Sequence, residues 1–310
     1  MAQPQIVLMK AIYEPAIVQL ERDFIVHKLW IKPDPHAFIA EACGNVRAAV
    51  TTPPTGFSRA DFDAMPNLEM LACFGAGVQL IDLAAAKERN VVVTQTADST
   101  AEPVADLAMG MIVAVMRRLC EADRFVRAGQ WPNGVFASGV DVRGKTLGIV
   151  GFGRIGQQIA KRAAGFDMAV CYYGLRQKHG VPHPYFDDLE KMARAVDCLV
   201  VTCPLTDATR NLVDSRILTA LGADGYLVNV ARGAIVDDQA LIAALAHHQI
   251  AGAALDVFKD EPQVPTELMS INNVVLAPHI GTSTREIREG RMNKLLADVR
   301  AHFRSELAAR

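Results

Sequence analysis

Apolar residues recur along the chain in short runs of strand length, at residues 6–9, 46–52, 68–73 and 91–95, then at 147–150, 169–173, 198–202, 226–230, 251–257 and 274–277. Several runs are continuously apolar instead of alternating, the pattern of parallel strands covered on both faces. Between them, residues 80–89, 155–164 and 239–247 carry apolar positions at helical spacing. Strand alternating with helix predicts an α/β protein with parallel sheets. Residues 101–128 stand apart and read as one long helix, with Ser99 or Thr100 as cap and Gly129 as stop. That helix divides the chain into a first block of four strands and a second of six. It predicts two domains joined by a helix, or a helix at a subunit interface. Residues 284–309 read as a charged helix with Leu295, Leu296, Val299 and Phe303 on one side, able to fold back onto the first block. Residues 138–142 and 176–184 read as loops.

Composition narrows the function classes. The 310 residues suit two domains. At 51 % apolar and 21 % charged, the chain can bury a core, which excludes wholesale disorder. Lys and Arg number 32 against 34 Asp and Glu, a net charge of −2 without blocks of one sign, so a nucleic-acid partner is not expected. No apolar run reaches the roughly 18 residues of a membrane span. Residues 1–5 lack the basic region of a secretory signal. The six cysteines, at 43, 73, 120, 171, 198 and 203, form no Cys-x-x-Cys pair and read as buried thiols of a cytoplasmic protein. His179 and His183 are four apart, but the intervening glycine and proline break any helix that would align them, so no metal is expected.

The sequence Gly151-Phe152-Gly153-Arg154-Ile155-Gly156 is a G-x-G-x-x-G. Its context gives it weight: a strand ends at Gly151, a helix opens behind it, and a second strand follows at βαβ distance. The glycines allow a tight turn and close approach of backbone to phosphate. The helix N-terminus adds free N–H groups and partial positive charge for a pyrophosphate. Gly151, Gly153, Arg154, Ile155 and Gly156 are therefore assigned to a nicotinamide dinucleotide. An NAD site expects Asp or Glu at the end of the second strand, to hold the ribose 2′-hydroxyl. Here that stretch is Tyr172-Tyr173-Gly174-Leu175-Arg176-Gln177-Lys178, with no carboxylate. Gly174 and Arg176 join the cofactor set, and Arg176 can grip a 2′-phosphate with a bidentate fork. NADP is favoured, with NAD the other possibility.

Three further segments carry chemistry. Arg232 follows one buried run, the acids of residues 256–261 follow the next, and His279 follows the last. Ligands of a parallel sheet bind outside the carboxyl ends of its strands, so all three face the crevice of the glycine loop. Hydride transfer to a keto acid needs a cation on the substrate carboxylate and carbonyl, which Arg232 supplies. It needs a proton donor near neutral pH, which His279 supplies. A carboxylate on the other ring nitrogen would orient the imidazole and favour its protonated form, a role for Glu261.

With these pieces the chain resembles the D-isomer-specific 2-hydroxyacid dehydrogenase family. The match rests on the glycine loop, residues 229–233, residues 252–258 with Glu261-Pro262, Pro278-His279, residues 74–78 with Ile81-Asp82, and Val104-Ala105-Asp106. The resemblance implies an Arg232, Glu261, His279 catalytic set. It implies that backbone at Ala76, Gly77 and Val78 meets the substrate carboxylate, with Arg232 and His279 also on the substrate. It implies that Asp256 holds the nicotinamide amide and that Cys203, Pro204 and Val230 line the cofactor.

The implied architecture is a flavodoxin-like substrate domain over residues 1–98 and a Rossmann-type cofactor domain over 99–282. Residues 283–310 return to the first domain, and a homodimer forms through the second. Residues 172–176 are similar to those of NADPH-using glyoxylate and hydroxypyruvate reductases, which favours a small 2-keto acid substrate. The small, turn-rich loop 51–57 suits that class without excluding larger 2-keto acids. Glu261 is not the glutamine of formate dehydrogenases. Val78 stands where phosphite-oxidising relatives carry lysine. Ala101 stands where many relatives carry a threonine near the cofactor phosphates, a contact that Thr100 could replace. The other class in play is a dinucleotide-sensing corepressor-like module without turnover.

Overall fold

The computed structural model describes residues 3–75, 77–96 and 100–308, apart from the side chains of residues 36, 40, 42 and 43. The chain divides into two compact units, one of Met1–Ser99 with Thr284–Arg310 and the other of Thr100–Ser283. The first unit holds β1 (Gln5–Leu8), β2 (Ile25–Lys28), β3 (Val46–Thr51), β4 (Met70–Cys73) and β5 (Val92–Gln95). All pair parallel, in the order β2-β1-β3-β4-β5, the flavodoxin-like winding. The second unit holds β6 (Thr146–Val150), β7 (Ala169–Tyr173), β8 (Tyr185–Phe186), β9 (Cys198–Val201), β10 (Tyr226–Asn229), β11 (Gly252–Leu255) and β12 (Val274–Leu276). Its parallel order is β12-β11-β10-β9-β6-β7-β8, a doubly wound sheet whose direction of winding reverses between β6 and β9.

Four strands, β4, β9, β10 and β11, are buried at every position. That burial is the reason for their nearly continuous apolar runs, which only Asn229 of β10 interrupts, because helices cover both faces. In the second sheet, Val150, Leu227 and Leu255 pack into one core and Ile149, Val228 and Ala254 into the other.

Each sheet has one strand more than the apolar runs predict. The first extra strand, β2, is an edge strand with no fully buried position, and its Ile-Val pair runs straight into His27 and Lys28. The second, β8, has only two residues and lies just beyond the loop ending at Pro184.

The expected single helix over residues 101–128 is two helices, Ala101–Met116 and Leu119–Arg127. Arg118 between them is left-handed (φ 54°). The carbonyl of Met116 accepts the Val140 N–H at 2.8 Å instead of continuing the helical ladder. Arg118 donates to Glu121 at 2.7 and 3.1 Å. The first helix is apolar and long because it packs on the second sheet, through Val104, Ala108, Ile112 and Met116. Gly129 ends the second helix with φ +66°. Thr100 takes the N-cap position without a side-chain cap bond, and Ser99 lies outside the described residues.

The C-terminal stretch likewise breaks at Phe303, into Arg285–His302 and Arg304–Ala308. Leu295, Leu296, Val299 and Phe303 are buried against Ile6, Leu8, Val50 and Ala72 of the first sheet. Arg47 bridges Glu69 and Glu306 at 2.7–2.8 Å, and His302 meets Glu69 at 2.9 Å. The Arg47 guanidinium holds the Glu69 carboxyl below its ordinary range. Cys73, Cys171 and Cys198 are buried and Cys120 and Cys203 half-buried, all as free thiols, while the side chain of Cys43 lies outside the described residues.

Candidate active site

The glycine loop follows β6 at the point where the winding reverses. Gly151 takes φ +93°, a conformation closed to most side chains, and its N–H donates to Tyr173 O at 2.9 Å. A Cβ at Gly151 would stand 2.7 Å from the backbone of Cys203, just past β9. One at Gly156 would stand 2.7 Å from Gly151 O. One at Gly153 would meet open space. Two glycines thus let the backbones close up, and the third leaves the helix entrance clear. The helix Arg154–Ala163 begins at Gly153 with no side-chain cap, so its first N–H groups and its dipole face outward. These features fit a dinucleotide pyrophosphate. Thr202 pins the loop by donating to Gly151 O at 2.5 Å, a contact the motif did not announce. Burial pushes the Cys203 thiol up to about 11. Cys203 follows β9 directly beside the glycine loop.

The other chemical segments follow β10, β11 and β12, consecutive neighbours in the sheet. Past β10, the buried Asn229 side chain accepts the Ala231 N–H and donates to Arg232 O, both at 3.0 Å. This clamp closes the turn of residues 230–232 and presents Arg232 outward, with Nη1 donating to Ala231 O at 2.6 Å. Gly233 comes next. A Cβ there would lie 2.0 Å from the Phe258 carbonyl carbon and 2.3 Å from Lys259 N. Only glycine lets the Arg232 segment touch the segment that leads to Glu261. Gly233→Ala is therefore expected to lower stability by at least about 3 kcal/mol, read from the denaturation midpoint, and to abolish activity. An unchanged midpoint would mean that the backbone at 258–259 yields freely.

Past β11 and β12, Glu261 and His279 meet. Glu261 Oε2 lies 2.7 Å from His279 Nδ1, and Oε1 accepts the Phe258 N–H at 3.0 Å. A carboxylate there fixes the proton on Nδ1 and leaves Nε2 as the working nitrogen. His279 itself is left-handed (φ 53°), a backbone state that its surroundings must enforce. Asp256 enforces it. Its buried carboxylate accepts the Ile280 N–H at 2.7 Å and the Gly281 N–H at 2.9 Å, clamping the chain just after the histidine. Burial pushes the Asp256 carboxyl up from its ordinary value, against the pull of those two N–H groups.

The structure thus brings Arg232, Glu261 and His279 to adjacent strand ends of one sheet. Pro204 and Val230 follow β9 and β10 at the same edge. Arg176 stands exposed in the loop after β7. Gly77 and Val78 lie after β4 in the first unit, and Ala76 lies outside the described residues. Among the described residues, no group of three His, Cys, Asp or Glu side chains could hold a metal ion.

Residues 109–281 match the model of the D-isomer specific 2-hydroxyacid dehydrogenase NAD binding domain. Glyoxylate/hydroxypyruvate reductase A of Arabidopsis thaliana is 42 % identical over 285 residues, 92 % of this chain and 91 % of that protein. The chain belongs to the D-isomer-specific 2-hydroxyacid dehydrogenase family.

Within this dehydrogenase family, the hydroxyphenylpyruvate reductase of Plectranthus scutellarioides is 38 % identical over the same shares of the two chains, 92 % and 91 %. The NADPH-dependent glyoxylate/hydroxypyruvate reductase of Sinorhizobium meliloti, solved with NADP and malonate, superposes with a TM-score of 0.83 at 35 % identity. That superposition covers 97 % of this chain and 94 % of the other. The matched segment is the family's NAD binding domain, so the protein uses NAD(P), and residues 109–281 include the glycine loop. Among the described residues, no helix is long and apolar enough to cross a membrane.

Proposed function

We propose that the protein reduces glyoxylate or hydroxypyruvate to the D-2-hydroxy acid, with NADPH as preferred reductant. The observation that carries this reading is the Glu261–His279 pair at 2.7 Å, next to Arg232 on the neighbouring strand ends. The bound nicotinamide supplies the hydride. Arg232 holds the substrate carboxylate and polarises the carbonyl with its fork. His279 gives the Nε2 proton to the carbonyl oxygen, and Glu261 keeps the ring oriented and its other nitrogen protonated. Gly77 and Val78 retain their assignment to the substrate carboxylate, and Asp256 its assignment to the nicotinamide amide, on the family resemblance.

Arg176 is the group assigned to the 2′-phosphate, supported by the absence of any carboxylate in residues 172–178. Arg176→Ala is expected to cost about 1.5–3 kcal/mol in kcat/KM for NADPH, with little change for NADH. Equal losses with both cofactors would overturn the assignment.

The proposal includes a homodimer through the second unit. Leu119, Val126, Trp131 and Val135 support it, standing more than half exposed on one segment, Val135 at 97 %. It also includes a cytoplasmic location, supported by the free thiols.

A larger 2-keto acid is the second reading, favoured by the 38 % identity to hydroxyphenylpyruvate reductase. The deciding experiment offers glyoxylate, hydroxypyruvate and hydroxyphenylpyruvate to the purified protein with NADPH and with NADH, and follows loss of the reduced cofactor. The highest kcat/KM is expected for a small acid with NADPH. Preference for the aromatic acid would select the second reading, and no turnover with any pair would restore the dinucleotide-sensing module.

A further inference from the structure

The chain leaves β7 at Gly174, makes an excursion, and returns as β8 beside its own starting strand. The base of the excursion is closed by Tyr172 N donating to Pro184 O at 3.0 Å and by the pairing of Tyr172 with Tyr185. Residues 175–180 are all exposed. Exposed, cation-bearing loops are ordinarily loose. This one is pinned by two tyrosine hydroxyls. Tyr185 Oη donates to Gly174 O at 3.0 Å, and Tyr172 Oη accepts the Lys178 N–H at 2.8 Å. The two anchors fall at residues 174 and 178, so Arg176 sits two residues from each.

The anchors are themselves packed in an aromatic layer. Tyr172 is 1 % exposed, and its ring packs at 4.5 Å centroid distance on Phe152, the second residue of the glycine loop. It also packs on Tyr185 at 5.4 Å. His183 adds an edge contact to Phe152 at 5.7 Å. One aromatic layer therefore supports both the glycine loop and the loop that carries Arg176 and Lys178.

We infer that Tyr172 and Tyr185 are positioning residues for cofactor choice: their hydroxyls hold the 174–178 segment so that Arg176 meets a 2′-phosphate without first being ordered. The inference rests on the assignment of Arg176 to that phosphate. Its physical basis is preorganisation. A loop fixed in advance loses less conformational freedom on binding, and that gain falls only on the ligand whose charged group the loop contacts.

The test measures dissociation constants of NADPH and NADH by fluorescence titration, with no turnover involved. The proteins are wild type, Tyr172→Phe, Tyr185→Phe and Arg176→Ala. Each phenylalanine keeps the ring and its packing and removes one anchoring bond. Each tyrosine variant is expected to weaken NADPH about three- to tenfold, the scale of one net hydrogen bond. NADH affinity and the melting temperature are expected to stay near wild type. Equal weakening of both cofactors would assign the tyrosines a structural role, and no change would show that the anchors are idle. Either result overturns the inference while Arg176→Ala still loses NADPH selectively. If the wild type shows no preference and Arg176→Ala has no effect, the 2′-phosphate assignment itself falls.

Discussion

His279→Ala is expected to lower kcat for glyoxylate reduction by about 10²–10⁴-fold at every pH, the contribution of a positioned acid–base group. Dinucleotide affinity should hold, because the glycine loop follows β6 and the histidine follows β12, at the far edge of the sheet. Reduction would take a proton from the ring and oxidation would return one to it, so both directions are expected to lose rate in this variant.

Glu261→Gln is not the mild change its shape suggests. The two oxygens of Glu261 serve two N–H groups, Phe258 N at 3.0 Å and His279 Nδ1 at 2.7 Å. Glutamine has one oxygen for both, and its NH2 group would face a donor. Either the loop loses its tie or the histidine takes the wrong tautomer, so kcat falls, though by less than in His279→Ala. Rates of reduction and oxidation against pH in the three proteins check this. Wild-type rates in Glu261→Gln would show that the carboxylate does not orient the ring.

Arg232→Ala is expected to lower kcat/KM for the keto acid by about 2–5 kcal/mol, roughly 30- to 5,000-fold, because the substrate carboxylate loses its counter-charge. Cofactor affinity and the denaturation midpoint should change little, since the guanidinium points outward and, among the described residues, bonds only to its neighbour Ala231. Arg232→Lys keeps the charge but not the fork, and should recover only part of the loss. Steady-state kinetics across a range of keto acid concentrations make the measurement. Unaltered substrate binding in Arg232→Ala would reduce the arginine to a strand-end surface charge.

The supports of these three residues show where the sequence stops being readable. Arg232, Glu261 and His279 announce themselves, because each carries chemistry that a strand end beside a dinucleotide loop can use. Asn229 was visible next to Arg232 but silent, since a buried amide shows its purpose only when both of its partners are placed. Gly233 carries no pattern at all. Its requirement comes from Phe258, 25 positions further along, whose carbonyl carbon would stand 2.0 Å from a Cβ. The break at Arg117–Arg118 was hidden for the same reason. The apolar period continues through it, and the competitor for the Met116 carbonyl is Val140, on a later loop.

What the sequence determined by itself is therefore the α/β class, the two-block organisation, the glycine loop and the side chains proposed to carry the catalysis. Those follow from the period of apolar runs and from residue types that act locally. The tertiary structure alone decided that β10, β11 and β12 stand side by side, and that Glu261 meets Nδ1 and frees Nε2. It alone showed Asp256 clamping the left-handed His279, and two tyrosine hydroxyls bracketing Arg176. Each of these depends on contacts between chain segments far apart in sequence or on the closure of a loop. Hydrophobic period and residue type do not encode such contacts, and only packing selects among them.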